Sequence, residues 1–374
     1  MTSHCDVVII GGGAIGSSIA CQLAGAGSNV TIVERDSIGS HASGFALGLL
    51  NPTSETGNSE ALGHQSFHMH REMLDIVQEE SGVDVQVREM PHIEVALTEE
   101  SLPGLQVENE RIAQLPGFAS SWLGPDQIRS LEPRLTEDLN GGLLVEDVIM
   151  VDSYKFTLAT ALTAEARGAD LVPGEARGIA YEHDRVVGVY VGEDFINCDV
   201  VVLAPGPWAG TASLWLDIDV PVVPQKGEII RIGSLDPPLD YHIHGYHLES
   251  SCSVVQKTDG ATWLAATKQD GVGFDTTPSS EAGELLSLQG VRMIPQFESH
   301  PLILHTACTR PITPDGDPIL GKVPGREGVF IATGTGGKGI LLAPVIGRAI
   351  ADLVMTGETG IEIGQFGLDR FSAG

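Results

Sequence analysis

The sequence predicts an α/β protein in which a discontinuous, Rossmann-like nucleotide-binding domain carries an inserted α+β domain built on a mixed or antiparallel sheet. Three observations lead to this prediction. The chain opens with a buried strand, a glycine-rich turn and a helix, which form the start of a βαβ unit. A further buried strand, over residues 199–206, ends in a glycine, and the chain closes with a strand over residues 329–333, another glycine-rich turn and a helix. Between these segments lie short strands that are typical of an antiparallel sheet.

The opening element is an apolar strand over residues 7–10, followed by Gly11, Gly13 and Gly16. Because the strand is short and rich in β-branched residues, it is typical of a buried parallel strand. The glycines have the G-x-G-x-x-G spacing. Gly11 permits a tight turn, Gly13 lets a pyrophosphate approach the backbone, and Gly16 lets the next helix pack closely on the strand. The turn therefore predicts a dinucleotide site.

A helix over residues 14–26 would point its N-terminus at the phosphates. A second strand over residues 29–33 ends at Glu34, about 20 residues after the glycines, where a carboxylate can accept the ribose hydroxyls of an adenosine. This fingerprint fits nicotinamide and flavin dinucleotides equally. A nicotinamide-dependent dehydrogenase and a non-catalytic nucleotide-binding module therefore stay open as alternatives.

Composition and charge argue against several function classes. The 374 residues include 21 basic and 50 acidic side chains, and the net charge of −29 disfavours nucleic acid and anionic membrane surfaces as partners. No apolar run reaches the roughly 20 residues of a membrane span. The first strand begins at residue 5, which leaves no room for a signal peptide, so we expect a cytoplasmic protein.

Metal and disulfide sites are not predicted. The five cysteines are odd in number and scattered, so we expect reduced core residues. His64 and His68 have a spacing that could bind a metal, but no cysteine is near them in the sequence. Solvated or capping histidines are therefore expected.

The remaining elements follow from apolar periodicity. Helices are predicted over residues 63–80, 153–168, 281–294 and 340–355, with short helical pieces over residues 105–139. Strands are predicted over residues 92–98, 177–182, 186–191, 199–206, 226–232, 253–257, 262–268, 302–310 and 329–333. We expect residues 1–88, 141–220 and 308–374 to form the nucleotide-binding domain, and residues 89–140 and 221–307 to form the substrate domain.

Six segments together resemble the D-amino-acid oxidase superfamily of flavoproteins, which includes glycine oxidase and sarcosine oxidase. They are residues 9–16, 33–35, 41–44, 202–208, 309–316 and 339–344, and they span essentially the whole chain. The Thr-Arg-Pro-Ile-Thr-Pro-Asp-Gly and Gly-Ile-Leu-Leu-Ala-Pro segments are the more specific ones. The resemblance implies FAD, a substrate domain on a mixed sheet, and oxidation of a C–N bond in a small amino-acid or amine substrate.

The resemblance also implies cofactor contacts. They are Ala14, Ile15, Glu34, Arg35, Ala42, Ser43, Leu47, Gly48 and Leu49, then Ala176 at the adenine end, Gly206 and Trp208, and finally Gly334, Thr335, Gly336, Gly337, Lys338, Gly339 and Ile340 along the isoalloxazine. Independently of the family, the N-terminus of the last helix carries free N–H groups and a positive dipole. Both would stabilise the negative charge of a reduced flavin, and Lys338 would add to this.

Three residues carry the predicted chemistry. Arg310 resembles the arginine with which glycine and D-amino-acid oxidases hold the substrate carboxylate, and a structural ion pair is the alternative. Lys268 lies where sarcosine oxidase has its oxygen-activating lysine, with a solvated strand end as the alternative. Cys308 lies where sarcosine oxidase attaches its flavin covalently, although a small core residue is expected.

Several positions depart from the glycine oxidase pattern. Ser253 falls where that enzyme has an active-site tyrosine, and Gly337 replaces an arginine. A polar cluster lies near a predicted pocket edge and consists of His242, His244, Tyr246 and His247. Three roles stay open for it: binding of substrate, binding of a metal, or a polar surface loop. A bulkier or N-substituted amino acid therefore stays open as the substrate.

We accordingly expect an FAD-dependent amino-acid or N-alkyl-amino-acid oxidase. Hydride would pass to the flavin, the imine would be hydrolysed, and electrons would pass to oxygen to give hydrogen peroxide. The alternative is an FAD-dependent amino-acid, proline or opine dehydrogenase, or a subunit of one, that uses another electron acceptor. A homo-oligomer stays open.

Overall fold

The computed structural model describes residues 4–246 and 252–371 of the chain. The strands are β1 His4–Ile10, β2 Val30–Glu34, β3 Leu49–Leu50, β4 Arg88–Glu89, β5 His92–Ala96, β6 Ser120–Leu123, β7 Gly141–Val145, β8 Ile149–Met150, β9 Asp170–Pro173, β10 Ala176–Glu182, β11 Arg185–Val191, β12 Asp194–Leu203, β13 Val223–Ile232, β14 His242–Gly245, β15 Cys252–Gln256, β16 Thr262–Ala265, β17 Leu302–Ile312, β18 Ile319–Lys322 and β19 Val329–Thr333. The α-helices are α1 Ala14–Gly25, α2 Ala42–Phe45, α3 Glu60–Ser81, α4 Leu102–Ile112, α5 Pro125–Leu131, α6 Ser153–Ala166, α7 Ser213–Leu216, α8 Ser280–Met293 and α9 Gly339–Thr356.

The first sheet has eight strands and includes the strand that opens the chain. β1 pairs in parallel with β2 on one side and with β12 on the other, and β9 and β19 extend the parallel part. β10, β11 and β18 add antiparallel pairs. Because parallel strands run in one direction, the loops after β1, β2, β12 and β19 meet at the same edge, which is where ligands bind in open α/β sheets.

Both faces of β1 are buried. Val7 and Ile9 belong to an apolar cluster shared with α1 and α9, whereas Val8 and Ile10 belong to a second cluster on the other face. Successive side chains of a strand point to opposite faces, so the apolar run over residues 7–10 must be covered on both sides. The prediction of a buried parallel strand at this position is confirmed.

The second sheet has eight strands in the order β17-β13-β16-β15-β14-β5-β7-β6. Its pairs are antiparallel except for β14 and β5, so the sheet is mixed. The fold class that the sequence predicts is confirmed. β7 pairs with β5 and β6 in this second sheet, although the predicted nucleotide-binding segment begins at residue 141. The division of the chain into domains stays a prediction.

Helix α9 is the one helix of the described residues that is long and apolar enough to cross a membrane, with a mean hydropathy of 1.6 over 18 residues. It packs against α1 and α3. Leu342, Ile346 and Ile350 on this helix are fully buried in the protein. Burial within the fold therefore accounts for its apolar sequence.

A proline interrupts the hydrogen bonding of α9 near its start. Pro344 lacks the N–H that would bond to the carbonyl of Ile340, and its ring crowds that carbonyl. Helix α3 supplies the missing partners. Nε2 of His70 lies 2.9 Å from the carbonyl oxygen of Ile340, and the hydroxyl of Ser66 donates to the carbonyl of Leu341 across 2.6 Å. The first turn of α9 is thus held by side chains from another helix.

Two local predictions were wrong. The strand predicted over residues 262–268 ends at Ala265, and Lys268 lies beyond it in an exposed position. After Ala265 the chain keeps only the bonds of Thr267 and Gln269 to β13, so the regular ladder stops. Residues 120–123 form β6 rather than part of a helix, because they pair with β7.

Candidate active site

Two cavities meet at the edge of the first sheet. The first, which we call the Glu34 cavity, has a volume of about 380 Å³ and lies between the ends of β1 and β2 and the start of β10. The second, the Arg310 cavity, has a volume of about 590 Å³ and lies between the N-termini of α1 and α9 and the second sheet. Gly13, Ser43 and Gly206 line both cavities. The pair forms one elongated site.

The glycine-rich turn after β1 is tightly packed. Gly11 has φ +111°, a value that residues with a side chain rarely adopt, and a Cβ there would lie 2.3 Å from the carbonyl oxygen of Ala204. A Cβ on Gly16 would lie 2.0 Å from the carbonyl oxygen of Gly11, so the helix sits directly against the turn. Gly13 begins α1 as its N-cap and gives no side-chain cap. The turn leaves backbone, rather than side chains, facing the site.

Glu34 ends β2 inside the Glu34 cavity, as the sequence predicts for a ribose-binding carboxylate. One carboxylate oxygen accepts a hydrogen bond from the N–H of Gly12 across 2.7 Å, and the other accepts from the N–H of Asp36 across 2.9 Å. These bonds fix the carboxylate between the two loops. Each oxygen retains a lone pair for the hydroxyl groups of a sugar.

An aromatic wall closes the side of the Glu34 cavity. The guanidinium carbon of Arg35 lies 4.5 Å from the ring centre of Trp208, and His41 meets the same ring edge-on at 4.7 Å. Asp36 bonds to His41 across 2.7 Å and to Arg35 across 3.1 Å, and mainly the His41 bond lowers the pKa of the Asp36 carboxyl. Ala176 lines the same cavity at the start of β10. The wall suits the stacking of a planar ring.

The N-terminus of α1 lies where the two cavities join. The hydroxyl of Ser43 accepts from the N–H of Ala14 across 3.0 Å. The helix has no acidic residue in its first turn. Ala42 and Ile15 line the Arg310 cavity beside it. The positive end of the helix dipole therefore faces a space that suits a phosphate.

The N-terminus of α9 forms another wall of the Arg310 cavity. Residues 335–340 line the cavity, and α9 has neither a side-chain cap nor an acidic residue in its first turn. The ammonium of Lys338 lies 2.5 Å from the carboxylate of Glu55, which is buried. Burial raises the pKa of Glu55, although the neighbouring Lys338 opposes this shift. Glu55 thus offsets the charge of Lys338, and the positive end of the α9 dipole is what remains at this end of the site.

Arg310 lies on β17 in the wall of the Arg310 cavity. Its guanidinium crosses Gly227 on the neighbouring strand, where a Cβ would lie 2.3 Å from a guanidinium nitrogen, and donates to the carbonyl of Thr267 across 3.0 Å. Burial lowers the pKa of Arg310. Within residues 4–246 and 252–371, no acidic side chain pairs with it, so its remaining N–H groups suit a carboxylate from a ligand.

Lys268 and Cys308 line the Arg310 cavity with Arg310, as the resemblance implies. Lys268 is exposed, and it helps to lower the pKa of the nearby His244, for which burial is the main cause. Cys308 is 8% exposed, and burial raises the pKa of its thiol. A raised pKa leaves little thiolate for bond formation with a flavin.

Not every predicted cofactor residue lines the two cavities. Gly16, Gly48 and Gly334 lie behind their walls, where the glycines allow close packing, and Leu49 lines neither cavity. The other predicted positions line one cavity or both. The individual contacts of all these residues with a cofactor stay a prediction.

A third cavity lies beyond Ser253. We call it the histidine cavity, because His92, His242 and His244 line it together with Glu94, and its volume is about 390 Å³. The cluster that the sequence indicated is therefore a cavity wall in its described part, whereas His247 lies outside the described residues. His64 and His68 lie elsewhere and pack against Phe118.

Several supporting residues were missed by sequence reasoning. Lys257 is buried and donates to the carbonyls of Leu47 and Val151 across 2.6 and 3.0 Å, which fixes the loop beside the Arg310 cavity. Burial lowers the pKa of this lysine to about 8. The proline inside the last helix pattern could have indicated a missing carbonyl partner. No local signal identified His70 as that partner.

The donors and shape of the site fit FAD. Two helix N-termini that have no N-cap side chain and no acidic residue in the first turn face the joined cavities. A carboxylate suited to a ribose lies at one end, and the positive terminus of α9 lies at the other. A Cβ at Gly11 would push the turn away from the carbonyl of Ala204. Glycine is thus required there for the cradle to form.

Comparison with known proteins identifies the family to which this chain belongs. Residues 6–353 match the family model described as FAD dependent oxidoreductase. The glycine oxidase of Geobacillus kaustophilus (strain HTA426) is 31% identical over 99% of this chain and 98% of its own length. The glycine oxidase of Bacillus subtilis (strain 168) is 28% identical over 100% of this chain and 99% of its own.

The fold agrees with these sequence relationships. The crystal structure of glycine oxidase from Geobacillus kaustophilus superposes with a TM-score of 0.92, covering 99% of each chain at 29% identity. The similarity thus extends over both sheets.

Proposed function

The chain belongs to the DAO family of FAD-dependent oxidoreductases, and we propose that it oxidises the C–N bond of an amino acid or N-alkyl amino acid, with oxygen as the final electron acceptor. The enzyme class and the cofactor follow from the family. The substrate class, the acceptor and the roles of individual residues are the proposed part.

Arg310 gives the main support for this proposal, because its guanidinium is buried beside the cavity and bonds, among the described residues, to a single backbone carbonyl. A guanidinium that is largely removed from water costs free energy unless a partner compensates it. Its described partner is one carbonyl oxygen, that of Thr267. A bidentate carboxylate would satisfy the remaining donors and would fix the α-carbon of an amino acid in the Arg310 cavity.

The proposed oxidation removes two electrons and two protons from the substrate. The α-carbon loses a hydride, the amine loses a proton, and a C=N double bond forms; water then hydrolyses the imine to a carbonyl and a free amine. When bound, FAD supplies a two-electron acceptor that is reoxidised by oxygen with formation of hydrogen peroxide.

Two features of this chain, the N-terminus of α9 and Lys268, would assist the transfer of electrons. The N-terminus of α9 presents unpaired N–H groups and the positive end of its dipole, which favour a negative charge beside them. Lys268 lines the same cavity and would place a cation where oxygen is reduced. Arg310 binds and orients the substrate and takes no part in proton transfer.

The test is turnover by the purified FAD-loaded protein. Glycine, sarcosine and the D- and L-amino acids are assayed for oxygen consumption, for hydrogen peroxide and for reduction of a redox dye. We expect at least one of them to be oxidised with one hydrogen peroxide formed per substrate. Absence of turnover with every substrate and both acceptors would contradict the proposal.

A variant of Lys268 tests whether oxygen is the electron acceptor. In Lys268→Met, we expect about tenfold slower reaction with oxygen and an unchanged rate of dye reduction, because the charge acts on the oxygen step. An unchanged oxygen rate would remove Lys268 from this role. Wild-type protein that reduces the dye but not oxygen would favour the dehydrogenase alternative.

A further inference from the structure

The histidine cavity adjoins the Arg310 cavity. Ser54 and Ser253 line both, so the two cavities share a wall. The hydroxyl of Ser253 lies 3.0 Å from Nδ1 of His244. A serine leaves space at this wall that a large side chain would fill.

The pairing of strands brings the histidines together. β5 and β14 run in parallel, with His242 opposite His92 and His244 opposite Glu94. Residues two apart in a strand lie on the same face of the sheet, so these four side chains share one face. His242 is 6% exposed, and His92 is 5% exposed. The cavity wall is therefore both polar and shielded from solvent.

One electrostatic contact and one hydrogen bond within this group favour one arrangement of the ring protons. Nε2 of His92 faces the carboxylate of Glu94 at 3.7 Å, which favours a proton on Nε2 and leaves Nδ1 of His92 as an acceptor. Nδ1 of His242 lies 2.7 Å from that acceptor and so donates to it. Nε2 of His242 then carries a lone pair.

That nitrogen has no hydrogen-bond partner among the residues the structure describes, although it is buried. Buried polar atoms are normally paired, so an unpaired acceptor in a cavity wall indicates a ligand that donates a hydrogen bond. The described residues of the wall include two carboxylates and no lysine or arginine. Glu108 is paired with Arg111 at 2.5 Å, so the carboxylate of Glu94 is the charge that favours a cationic donor over an anionic group in this cavity.

We propose that the histidine cavity receives the side chain or N-substituent of the substrate, and that this group ends in a cationic hydrogen-bond donor such as an ammonium. The inference rests on the proposed function, because Arg310 must hold the carboxylate for the chain to extend past Ser253. The substrate class is then an amino acid with a long basic substituent, rather than glycine.

Binding is tested with three carboxylates of six carbon atoms each that lack an α-amine and so are not oxidised. They are 6-aminohexanoate, hexanoate and adipate, titrated into the FAD-loaded protein while the flavin absorbance is followed. We expect the Kd of 6-aminohexanoate to be at least about tenfold lower than the other two. In turnover, D- or L-lysine should exceed norleucine of the same configuration by a similar factor in kcat/KM.

Two variants locate the effect. In His242→Leu, the preference for 6-aminohexanoate over hexanoate should fall below about threefold, since the acceptor is removed. In Ser253→Tyr, a large side chain at the shared wall should weaken binding of all three long carboxylates relative to acetate. Ser253→Ala, which keeps the space, should retain the preference. Flavin content and melting temperature verify that each variant is folded.

The outcomes separate the two proposals. If acetate and all three long carboxylates bind with no preference for the ammonium, or if His242→Leu keeps the preference, the histidine cavity does not select the substrate and the proposed function stands. If no carboxylate perturbs the flavin and no amino acid is oxidised, both proposals are overturned.

Discussion

Nε2 of His70 donates a hydrogen bond to the carbonyl oxygen of Ile340 across 2.9 Å, although the two residues are 270 positions apart in the chain. The bond replaces the helical partner that Pro344 cannot provide. Ile340 lines the Arg310 cavity, so a buried histidine of α3 supports the helix terminus at this cavity.

The first prediction concerns stability. His70→Ala should lower the free energy of unfolding by about 2–4 kcal/mol, because it leaves a buried carbonyl unpaired and opens a cavity. His70→Gln keeps an amide donor of similar reach and should cost less than about 1.5 kcal/mol. Urea denaturation checks both values. Equal losses in the two variants would show that the hydrogen bond is unimportant.

The second prediction concerns pH. Burial lowers the pKa of His70 to about 4, below the ordinary histidine value of 6.5, so the unfolded chain binds more protons between these values. Stability is therefore complete above about pH 6.5 and falls as the pH approaches 4, with a limiting slope of about 1.4 kcal/mol per pH unit. His70→Gln should remove this contribution from urea denaturation measured between pH 4.5 and 6.5. A slope equal to that of the wild type would contradict the assignment.

The third prediction concerns the opening glycine turn. Gly11→Ala should weaken FAD binding by at least about tenfold, because the new Cβ would displace the turn from Ala204. Gly27→Ala is the matched control, since Gly27 also has positive φ, +89°, but a Cβ there meets no atom within 4 Å. Flavin content after reconstitution with FAD measures the difference. Equal retention of flavin in the two variants would show that the turn does not cradle the cofactor.

The fourth prediction concerns Cys308. Because burial raises its thiol pKa, we expect the flavin to be bound without a covalent link. Precipitation with acid should release all the flavin into the supernatant, and Cys308→Ala should contain as much flavin as the wild type. A yellow pellet that becomes colourless in Cys308→Ala would establish a covalent bond instead.

Much of the fold could be predicted from local sequence. The strand, glycine turn and helix at the start of the chain are local features, and the predicted helix over residues 14–26 is observed as α1, Ala14–Gly25. The last helix was equally well predicted, at α9, Gly339–Thr356. Apolar periodicity and glycine spacing depend on neighbours in sequence, which explains why these elements were found.

The contacts that were missed join distant parts of the chain. The His70 bond to Ile340 and the contact of His92 with His242, 150 positions apart, depend on helix and strand packing that no local pattern records. Lys268 shows the opposite error. Its segment was predicted as part of a strand over residues 262–268, yet β16 ends at Ala265. Beyond Ala265 the backbone keeps only isolated hydrogen bonds to β13, from Thr267 and Gln269.

The carboxylate-binding role of Arg310 is tested most directly by binding of acetate, which is glycine without its amine, to the FAD-loaded protein. In Arg310→Met we expect the Kd from flavin absorbance to rise by about 10–100-fold, and in Arg310→Lys by an intermediate factor, because lysine keeps the charge but not the bidentate geometry. Arg129→Lys, in an exposed ion pair with Asp126 on α5, is the control and should bind as the wild type does. A Kd within twofold of the wild type in Arg310→Met would contradict a substrate carboxylate held by Arg310.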